Sequence, residues 1–263
     1  MHGRSALCLS ALGLVLLSAT SPLCAAEPPA APAAFAHLLD ALFGETEEPV
    51  VAPPAETPAK PLRLSGAASK AEPLFAKAAA RQQAGDAAGA KEAFHQILAL
   101  AHLDSRRALR AWKGLRNAGE IPEGTAADQV LGVVVELDYE VDGEHAILAV
   151  AGYAEGDPVL AASSGYSLAG ARLRSRTVSS GKHLVSVAQP FVADIPREEG
   201  RRLPGSGQIR FVLLTPGGLH AREAARRDLE SDPAGLHPLY VAAQQLLVAL
   251  RLESERLEDS RKP

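Results

Sequence analysis

The stretch Ile209-Arg210-Phe211-Val212-Leu213-Leu214 is the strongest predicted β-strand in the sequence. It is mostly apolar and carries β-branched and aromatic side chains, a composition typical of a strand that is buried on both faces. Because a helical pattern precedes it, we expect this strand to insert beside an earlier strand as a buried member of a sheet. The sequence around it therefore predicts a domain of mixed α and β structure.

Four other stretches before this strand predict the rest of the sheet: Val130 to Leu137, Ala146 to Val150, Val159 to Ala162 and Leu168 to Leu173. Asp142-Gly143 is a hairpin signal between the first two, so these should pair antiparallel. The expected fold class is α+β, with a mainly antiparallel sheet of four to five strands covered by helices. This domain should span residues 129–256.

Two helical patterns should cover this sheet. One begins at Lys182, where Pro190 should kink or shorten it. A flexible loop is expected over residues 196–207. The other is a long amphipathic pattern from Pro238, and its natural place is across the sheet, where its apolar side shields the apolar face.

Residues 69–118 predict a unit of three helices, of which the first two resemble one tetratricopeptide hairpin. A Gly85-Asp86 turn precedes the small residue Ala90, and the aromatic Phe94 follows four residues later. Fewer than about three such repeats do not build a concave binding groove. We therefore expect this N-terminal hairpin unit to pack on the sheet domain, with protein binding as the alternative.

The third of these helices carries the basic residues Arg106, Arg110 and Lys113 on one side. A stripe of this kind is typical of a helix face exposed to solvent, and we expect these three side chains to be solvated. Binding of an anionic polysaccharide or of lipid headgroups is the alternative.

The first 26 residues are typical of an export signal. Arg4 supplies the positive charge, Ala6 to Ala19 is apolar, and Cys24-Ala25-Ala26 provides small residues for cleavage. The apolar run is about fourteen residues long, short of the roughly 20 that a membrane-spanning helix needs. We expect an exported protein, periplasmic or secreted, without a transmembrane span. A lipid anchor on Cys24 is not favoured, because Leu23 stands where a small residue is needed.

Composition limits the chemistry further. Cys8 and Cys24 are the only cysteines, and both lie in the predicted signal, so the mature chain would hold no disulfide and no thiolate metal site. With 27 lysines and arginines against 31 acids, the net charge is −4. This weak acidity argues against a nucleic-acid partner. An exported domain without disulfides must be stabilised by its own core.

Residues 27–65 are rich in proline and alanine and should form a semi-rigid tether. One short stretch, 35–43, interrupts it with a helical pattern formed by Phe35, Leu38, Leu39, Leu42 and Phe43. This helix could dock on the folded body, bind a partner or lie on a membrane surface. Since it has acidic neighbours and no lysine or arginine, anionic lipid is a poor match, and we expect docking.

Four segments together resemble a family of uncharacterised bacterial proteins. They are Ala111 to Arg116, Val130 to Glu136, Gly152 to Gly156 and Phe211 to His220, and the resemblance spans about residues 108–250. The family has no assigned activity, so the resemblance implies a common domain and no function. The apolar run Asp157 to Ala162 departs from the polar strand that the resemblance implies at this place.

The best candidate binding site follows the strongest strand, at Thr215-Pro216-Gly217-Gly218-Leu219-His220. Paired glycines before a helix can direct successive backbone N–H groups at an anion, and Arg222 would add charge. The candidate binding residues are Gly217, Gly218, His220 and Arg222. The alternative is a turn that simply ends the strand.

A second pattern, Ser179 and Lys182, has the spacing of serine acyl-enzymes, but the further motifs of those enzymes do not occur. A turn before a helix explains this pattern more naturally. The histidines after residue 26 are scattered singly, and none forms a metal-binding spacing. The sequence therefore predicts no catalytic residue, no metal site and no cofactor.

These observations favour an exported, non-enzymatic interaction or accessory protein of the bacterial envelope, which holds another envelope protein through its helical unit or the open side of its sheet. One rival is a hydrolase of envelope material that works around His220 or Ser179. Another is a small-ligand sensor, which predicts an apolar cavity under the helix that contains Leu184.

Overall fold

The computed structural model describes residues 33–43, 66–141, 144–169, 173–231 and 235–260. The predicted export signal, both cysteines and most of the predicted tether lie outside these ranges. Within them the chain has mixed α and β structure, as the sequence predicts.

A seven-stranded sheet forms the centre of the fold, and all its strand pairs are antiparallel. The strands are β1 (Gly132–Val141), β2 (Glu144–Tyr153), β3 (Val159–Ala162), β4 (Ser167–Leu168), β5 (Arg197–Glu198), β6 (Gln208–Thr215) and β7 (Gly218–Ala225). Their order across the sheet is β4-β3-β2-β1-β6-β7-β5. The prediction of four to five strands is wrong, because it lacks β5 and β7.

The strand that decides the fold lies where the sequence places it. β6 is nearly fully buried and pairs with the earlier strand β1, with Phe211 opposite Val135. Its other neighbour is β7, to which a two-residue turn connects it. The predicted hairpin of β1 and β2 is also present.

Within the described ranges, seven α-helices accompany the sheet: α1 (Ala33–Leu42), α2 (Gly66–Gln83), α3 (Ala87–Leu98), α4 (Ser105–Asn117), α5 (Ser175–Ala188), α6 (Arg226–Ser231) and α7 (His237–Asp259). The expected effect of Pro190 is confirmed, since α5 ends at Ala188 and a 3-10 turn, Gln189–Ala193, follows. The start of α5 differs from the prediction, which placed it at Lys182.

Helices cover both faces of the sheet. On one face, α5 and α7 enclose the larger core, which includes Val135, Phe211, Leu184 and Leu246. On the other face, side chains of α1 and Leu109 of α4 pack against β1, β2, β3, β6 and β7. The sheet therefore has no broad open side in the described part of the chain.

The helical unit α2–α4 has its own core. Asp86 caps α3 by accepting a hydrogen bond from the Gly89 amide at 2.8 Å. Phe94 is buried, with its ring against Gly114 of α4 and 6.5 Å from the Phe75 ring. The third helix, α4, thus completes the unit. The predicted N-terminal hairpin is not matched exactly, because α1 precedes the helical unit and docks on the sheet.

Helix α4 lies between the helical unit and the sheet. Leu109 belongs to the core beneath the sheet, whereas Leu115 belongs to the core of the helical unit. The basic side chains of α4 are engaged in contacts: Arg106 lies 5.3 Å over the Tyr153 ring and Arg110 lies 3.9 Å over the Phe75 ring. The expectation of a solvated stripe is wrong for Arg106 and Arg110, because α4 lies between the helical unit and the sheet.

Helix α1 is docked on the sheet. Phe35, Leu39 and Leu42 are buried there, and the Tyr153 hydroxyl donates a 2.5 Å hydrogen bond to the Leu42 carbonyl. Arg201 adds a 2.9 Å ion pair with Asp40. Docking, the first of the three alternatives for this segment, is therefore the arrangement in the structure.

Candidate functional site

The paired glycines form a hairpin turn. Thr215 and Gly218 are register partners at the ends of β6 and β7, and the strand continues through His220. The Gly217 amide donates a 2.8 Å hydrogen bond to the Ala127 carbonyl. The expectation that these glycines open a helix is wrong, and the N–H group of Gly217 is already paired within the protein.

Two of the candidate residues lie further along β7. Arg222 is exposed to solvent. His220 is only 5% exposed, and its Nδ1 lies 2.9 Å from the Ile195 carbonyl oxygen. A carbonyl only accepts hydrogen bonds, so Nδ1 of His220 donates this one. Nε2 is buried and has no hydrogen-bond partner among the described residues.

His220 lines an open cleft of about 490 Å³ at the C-terminal end of α5. Its other walls are formed by a loop, the 3-10 turn and β5: Asp128, Gln189, Pro190, Val192, Ala193, Ile195, Pro196 and Arg197. Arg197 and His220 are register partners on β5 and β7, which places them on the same face of the sheet. The side chain of Gln189 fixes one wall: its Oε1 accepts a hydrogen bond from the Val130 backbone N–H, and its Nε2 donates one to the Asp128 carbonyl.

The cleft is lined by one charged residue of each sign, Arg197 and Asp128. Nη2 of Arg197 lies 3.1 Å from Oδ1 of Asp128, and both side chains are about half exposed. A second guanidinium, Arg116, lies nearby and donates a hydrogen bond to the Pro216 carbonyl. Burial lowers the pKa of Arg116, and repulsion from Arg197 lowers it further.

The second sequence candidate is not a turn. Ser179 and Lys182 both lie within α5 and are exposed, and the neighbouring Ser180 hydroxyl bonds to the Arg176 carbonyl. The structure does not bring His220 and Ser179 together as a pair: one is buried on β7 and the other is exposed on α5. No group of three or more potential metal ligands occurs among the described residues.

A buried charge cluster escaped the sequence analysis. Arg210 on β6 is the register partner of Glu136 on β1, and both are almost completely buried. Arg210 pairs with Glu198 at 2.7 Å and with Glu223 at 3.4 Å. The signal in the sequence is Arg210 itself, a charged residue within the most apolar strand.

The outer side of α7 carries an apolar surface that is also absent from the sequence analysis. Val241, Val248 and Leu252 are 36%, 54% and 53% exposed. They account for three of the four large hydrophobic side chains that are exposed in the described part of the chain, the fourth being Ile121. We call these three residues the α7 stripe.

No protein-family model, no curated protein and no solved structure matches this chain. The fold and the sites thus define an α+β protein with a seven-stranded antiparallel sheet, and its relationship to the uncharacterised bacterial family stays a prediction. Across the described residues, no helix combines the length and the apolar character that crossing a membrane requires.

Proposed function

We propose that this chain is an exported, non-enzymatic accessory protein of the bacterial envelope that holds another protein through the α7 stripe. The observation that carries the proposal is the exposure of Val248 and Leu252 in the middle of a long helix. Contiguous exposed apolar side chains are typical of surfaces that bind another protein.

The spacing of the stripe favours a helix as the bound element. Val241, Val248 and Leu252 are separated by seven and then four positions, which aligns them along one side of α7. This is the spacing by which two helices pack along a common seam. Arg251 and Glu255, joined at 3.0 Å, provide a polar border beside it. We therefore infer that the partner contributes an amphipathic helix.

The coverage of the sheet supports this choice of surface. Both faces are packed against helices, α5 and α7 on one side and α1 and α4 on the other. The helical unit buries its aromatic and aliphatic side chains in its own core. Holding a partner by the open side of the sheet, as the sequence suggested, has no counterpart in this arrangement.

The rival hydrolase has less support. It requires His220 or Ser179 beside a carboxylate, because a base must be oriented to activate a nucleophile. His220 bonds to the Ile195 carbonyl, and no hydrogen bond joins either residue to a carboxylate among the described residues. The small-ligand alternative predicts a cavity under the helix that contains Leu184, but Leu184 is fully buried in the core. The cleft described above lies elsewhere, beyond the end of α5.

Photocrosslinking in the source cells tests the proposal. A photoreactive amino acid at position 248 should yield one discrete adduct with another envelope protein, whereas the same group at the exposed position 182 of α5 should yield none. Leu252→Glu should abolish the adduct from position 248, and Ser186→Glu, a matched change at an exposed helical position, should leave it intact. No adduct, or only an adduct with a second copy of this chain, would contradict the proposal.

A further inference from the structure

We propose that helix α1 is a pH-sensitive latch, which is closed while the buried carboxyl group of Glu136 is neutral and loosens when that group ionises. This device lies on the opposite face of the sheet from α7 and does not depend on the proposed function. Glu136 points to the face that α1 covers. Its neighbours on that face, Val134 of β1 and Ala149 of β2, pack in one core with Leu39 and Leu42 of α1.

Glu136 is poorly accommodated as an anion. The residue is completely buried, and neither of its carboxylate oxygens has a hydrogen-bond partner among the described residues. The ion pair with Arg210 is long, with 3.6 Å between Oε2 and Nε. A buried carboxylate without hydrogen bonds is costly to ionise, so the closed arrangement favours the neutral acid.

Arg201 connects this carboxyl group to α1. Its guanidinium attracts Glu136 electrostatically and pairs with Asp40 of α1 at 2.9 Å. It also lies 5.2 Å from the centre of the Phe43 ring, directly after α1. When Glu136 ionises, it competes with Asp40 for the same guanidinium. Whether Arg201 turns to Glu136 or α1 lifts to admit water, α1 loses a contact that holds it on the sheet.

The charged groups around Glu136 already hold more carboxylates than guanidiniums. In the described part of the chain they come from β1, β5, β6, β7, α1 and the loop before β6: Asp138, Glu198, Arg210, Glu223, Asp40, Arg201 and Arg202. Four of these are acids and three are arginines. The remaining neighbour, β2, offers the uncharged Ala149 as the register partner of Glu136. Ionised Glu136 therefore adds a negative charge to a cluster that is already acidic.

Docking of α1 should be strongest at low pH. Below pH 4.5 Glu136 is protonated whether α1 is docked or released. Burial raises the pKa of the docked state to about 7, whereas water that reaches Glu136 after release returns the pKa towards its ordinary value. Release therefore becomes easier as the pH rises to about 7 and changes little above it. It would expose Phe35, Leu39 and Leu42, which are buried in the closed arrangement.

Hydrogen exchange followed by mass spectrometry tests the latch in the full chain. Between about pH 5 and about pH 8, the α1 amides should lose at least about tenfold in protection, after correction for the intrinsic pH dependence of exchange. A difference of one in the pKa of Glu136 between the docked and the released state suffices for this change. Strand β6 should remain more protected than α1, because α1 opens without the sheet. Protection of α1 that is independent of pH, or an equal opening free energy for α1 and β6, would overturn the proposal.

Variants identify the groups that operate the latch. Glu136→Gln should abolish the pH dependence of α1 protection, whereas Glu258→Gln, at an exposed position of α7, should retain it. The same pH dependence in Glu136→Gln as in the unmodified chain would overturn the proposal. If Glu136→Gln fails to fold, the pH profile of the unmodified chain decides.

Asp40→Asn tests the link through Arg201. It should lower α1 protection about two- to fivefold even at low pH, because Arg201 loses its ionic partner on α1. Asp228→Asn, which alters an exposed ion pair on α6, should leave α1 protection unchanged. Equal protection of α1 in Asp40→Asn and the unmodified chain would refute the shared guanidinium on which the latch depends.

Discussion

Nε of Arg210 lies 3.6 Å from Oε2 of Glu136, and neither atom has a hydrogen-bond partner among the described residues. The remaining nitrogens of Arg210 are directed to Glu198 and Glu223. One guanidinium thus serves three carboxylates, and Glu136 is the one that is completely buried. Burial raises the pKa of Glu136 to about 7, against the opposing attraction of Arg210 and Arg201.

This raised pKa predicts a pH dependence of stability. Glu136 titrates near 7 when folded and near 4.5 when unfolded, so below pH 4.5 it is protonated in both states. As the pH rises from 4.5 to 7, the unfolded chain releases the proton first, and the free energy of unfolding should fall by about 3 kcal/mol. Urea denaturation at several pH values across this window measures the effect.

Glu136→Gln should remove most of this slope, because glutamine does not titrate. Glu258→Gln, at an exposed position of α7, should leave the slope as in the unmodified chain. Equal slopes for Glu136→Gln and the unmodified chain would show that Glu136 does not titrate in this range.

Two buried glycines in helices should respond to alanine in opposite directions. At Gly114 a Cβ atom would overlap the Phe94 ring, so Gly114→Ala should lower the free energy of unfolding by about 1–3 kcal/mol. At Gly181 the nearest atom would be 3.4 Å away, an ordinary contact, so Gly181→Ala should raise it by about 0.5–1 kcal/mol. Thermal or urea unfolding compares them, and similar effects of both changes would refute the contact between α3 and α4.

One buried hydroxyl contributes to the docking of α1, beside its apolar side chains and the Asp40–Arg201 ion pair. Burial raises the pKa of Tyr153, so its hydroxyl remains a donor to the Leu42 carbonyl. Tyr153→Phe leaves that carbonyl unpaired and should weaken docking by about 1 kcal/mol, which amounts to about fivefold faster hydrogen exchange in α1. Tyr240→Phe, whose hydroxyl makes a long 3.4 Å contact near the surface, is the control. Unchanged exchange in α1 would exclude the proposed anchor.

The α7 stripe should contribute little to folding. Leu252→Glu should change the free energy of unfolding by no more than about 0.5 kcal/mol, because Leu252 is exposed. Leu250→Ala, two residues earlier on the buried side, should cost about 2–5 kcal/mol. Circular dichroism during urea unfolding separates the two. A large loss of stability in Leu252→Glu would mean that the stripe is part of the core.

The predicted export signal has a direct chemical test. If it is removed, amino-terminal sequencing of the protein purified from its source cells should begin at Glu27, and fractionation should place the protein outside the cytoplasm. A cytoplasmic product that begins with Met1 would contradict both the predicted cleavage and the predicted export.

The central strands follow from sequence because their pattern and their environment agree. β3 has the predicted bounds, Val159–Ala162, and β6 extends the predicted stretch by one residue at each end. β7 was missed because alanine, arginine and glutamate in Gly218–Ala225 favour helix, whereas pairing with β6 and β5 imposes an extended backbone. Two-residue strands such as β5 carry too little pattern to be recognised before their partner is known.

Less of the candidate sites could be predicted. His220 was identified from its position after a glycine pair, but the cleft depends on Asp128 and Arg197, which are distant in sequence and meet only after β5 pairs with β7. The α7 stripe was obscured for a different reason. Helix α7 is apolar on one side and partly apolar on the other, so its sequence pattern does not show which apolar residues are buried. Only the packing shows that Leu250 is buried and Leu252 is exposed.

The strands at the two margins of the sheet, Ser167–Leu168 and Arg197–Glu198, are only two residues long. A strand this short offers few unpaired backbone groups, so a foreign strand has little to pair with on either of these two strands. Copies of the protein crowded together should therefore resist pairing through these two strands. The folded protein would gain durability at high concentration from this brevity.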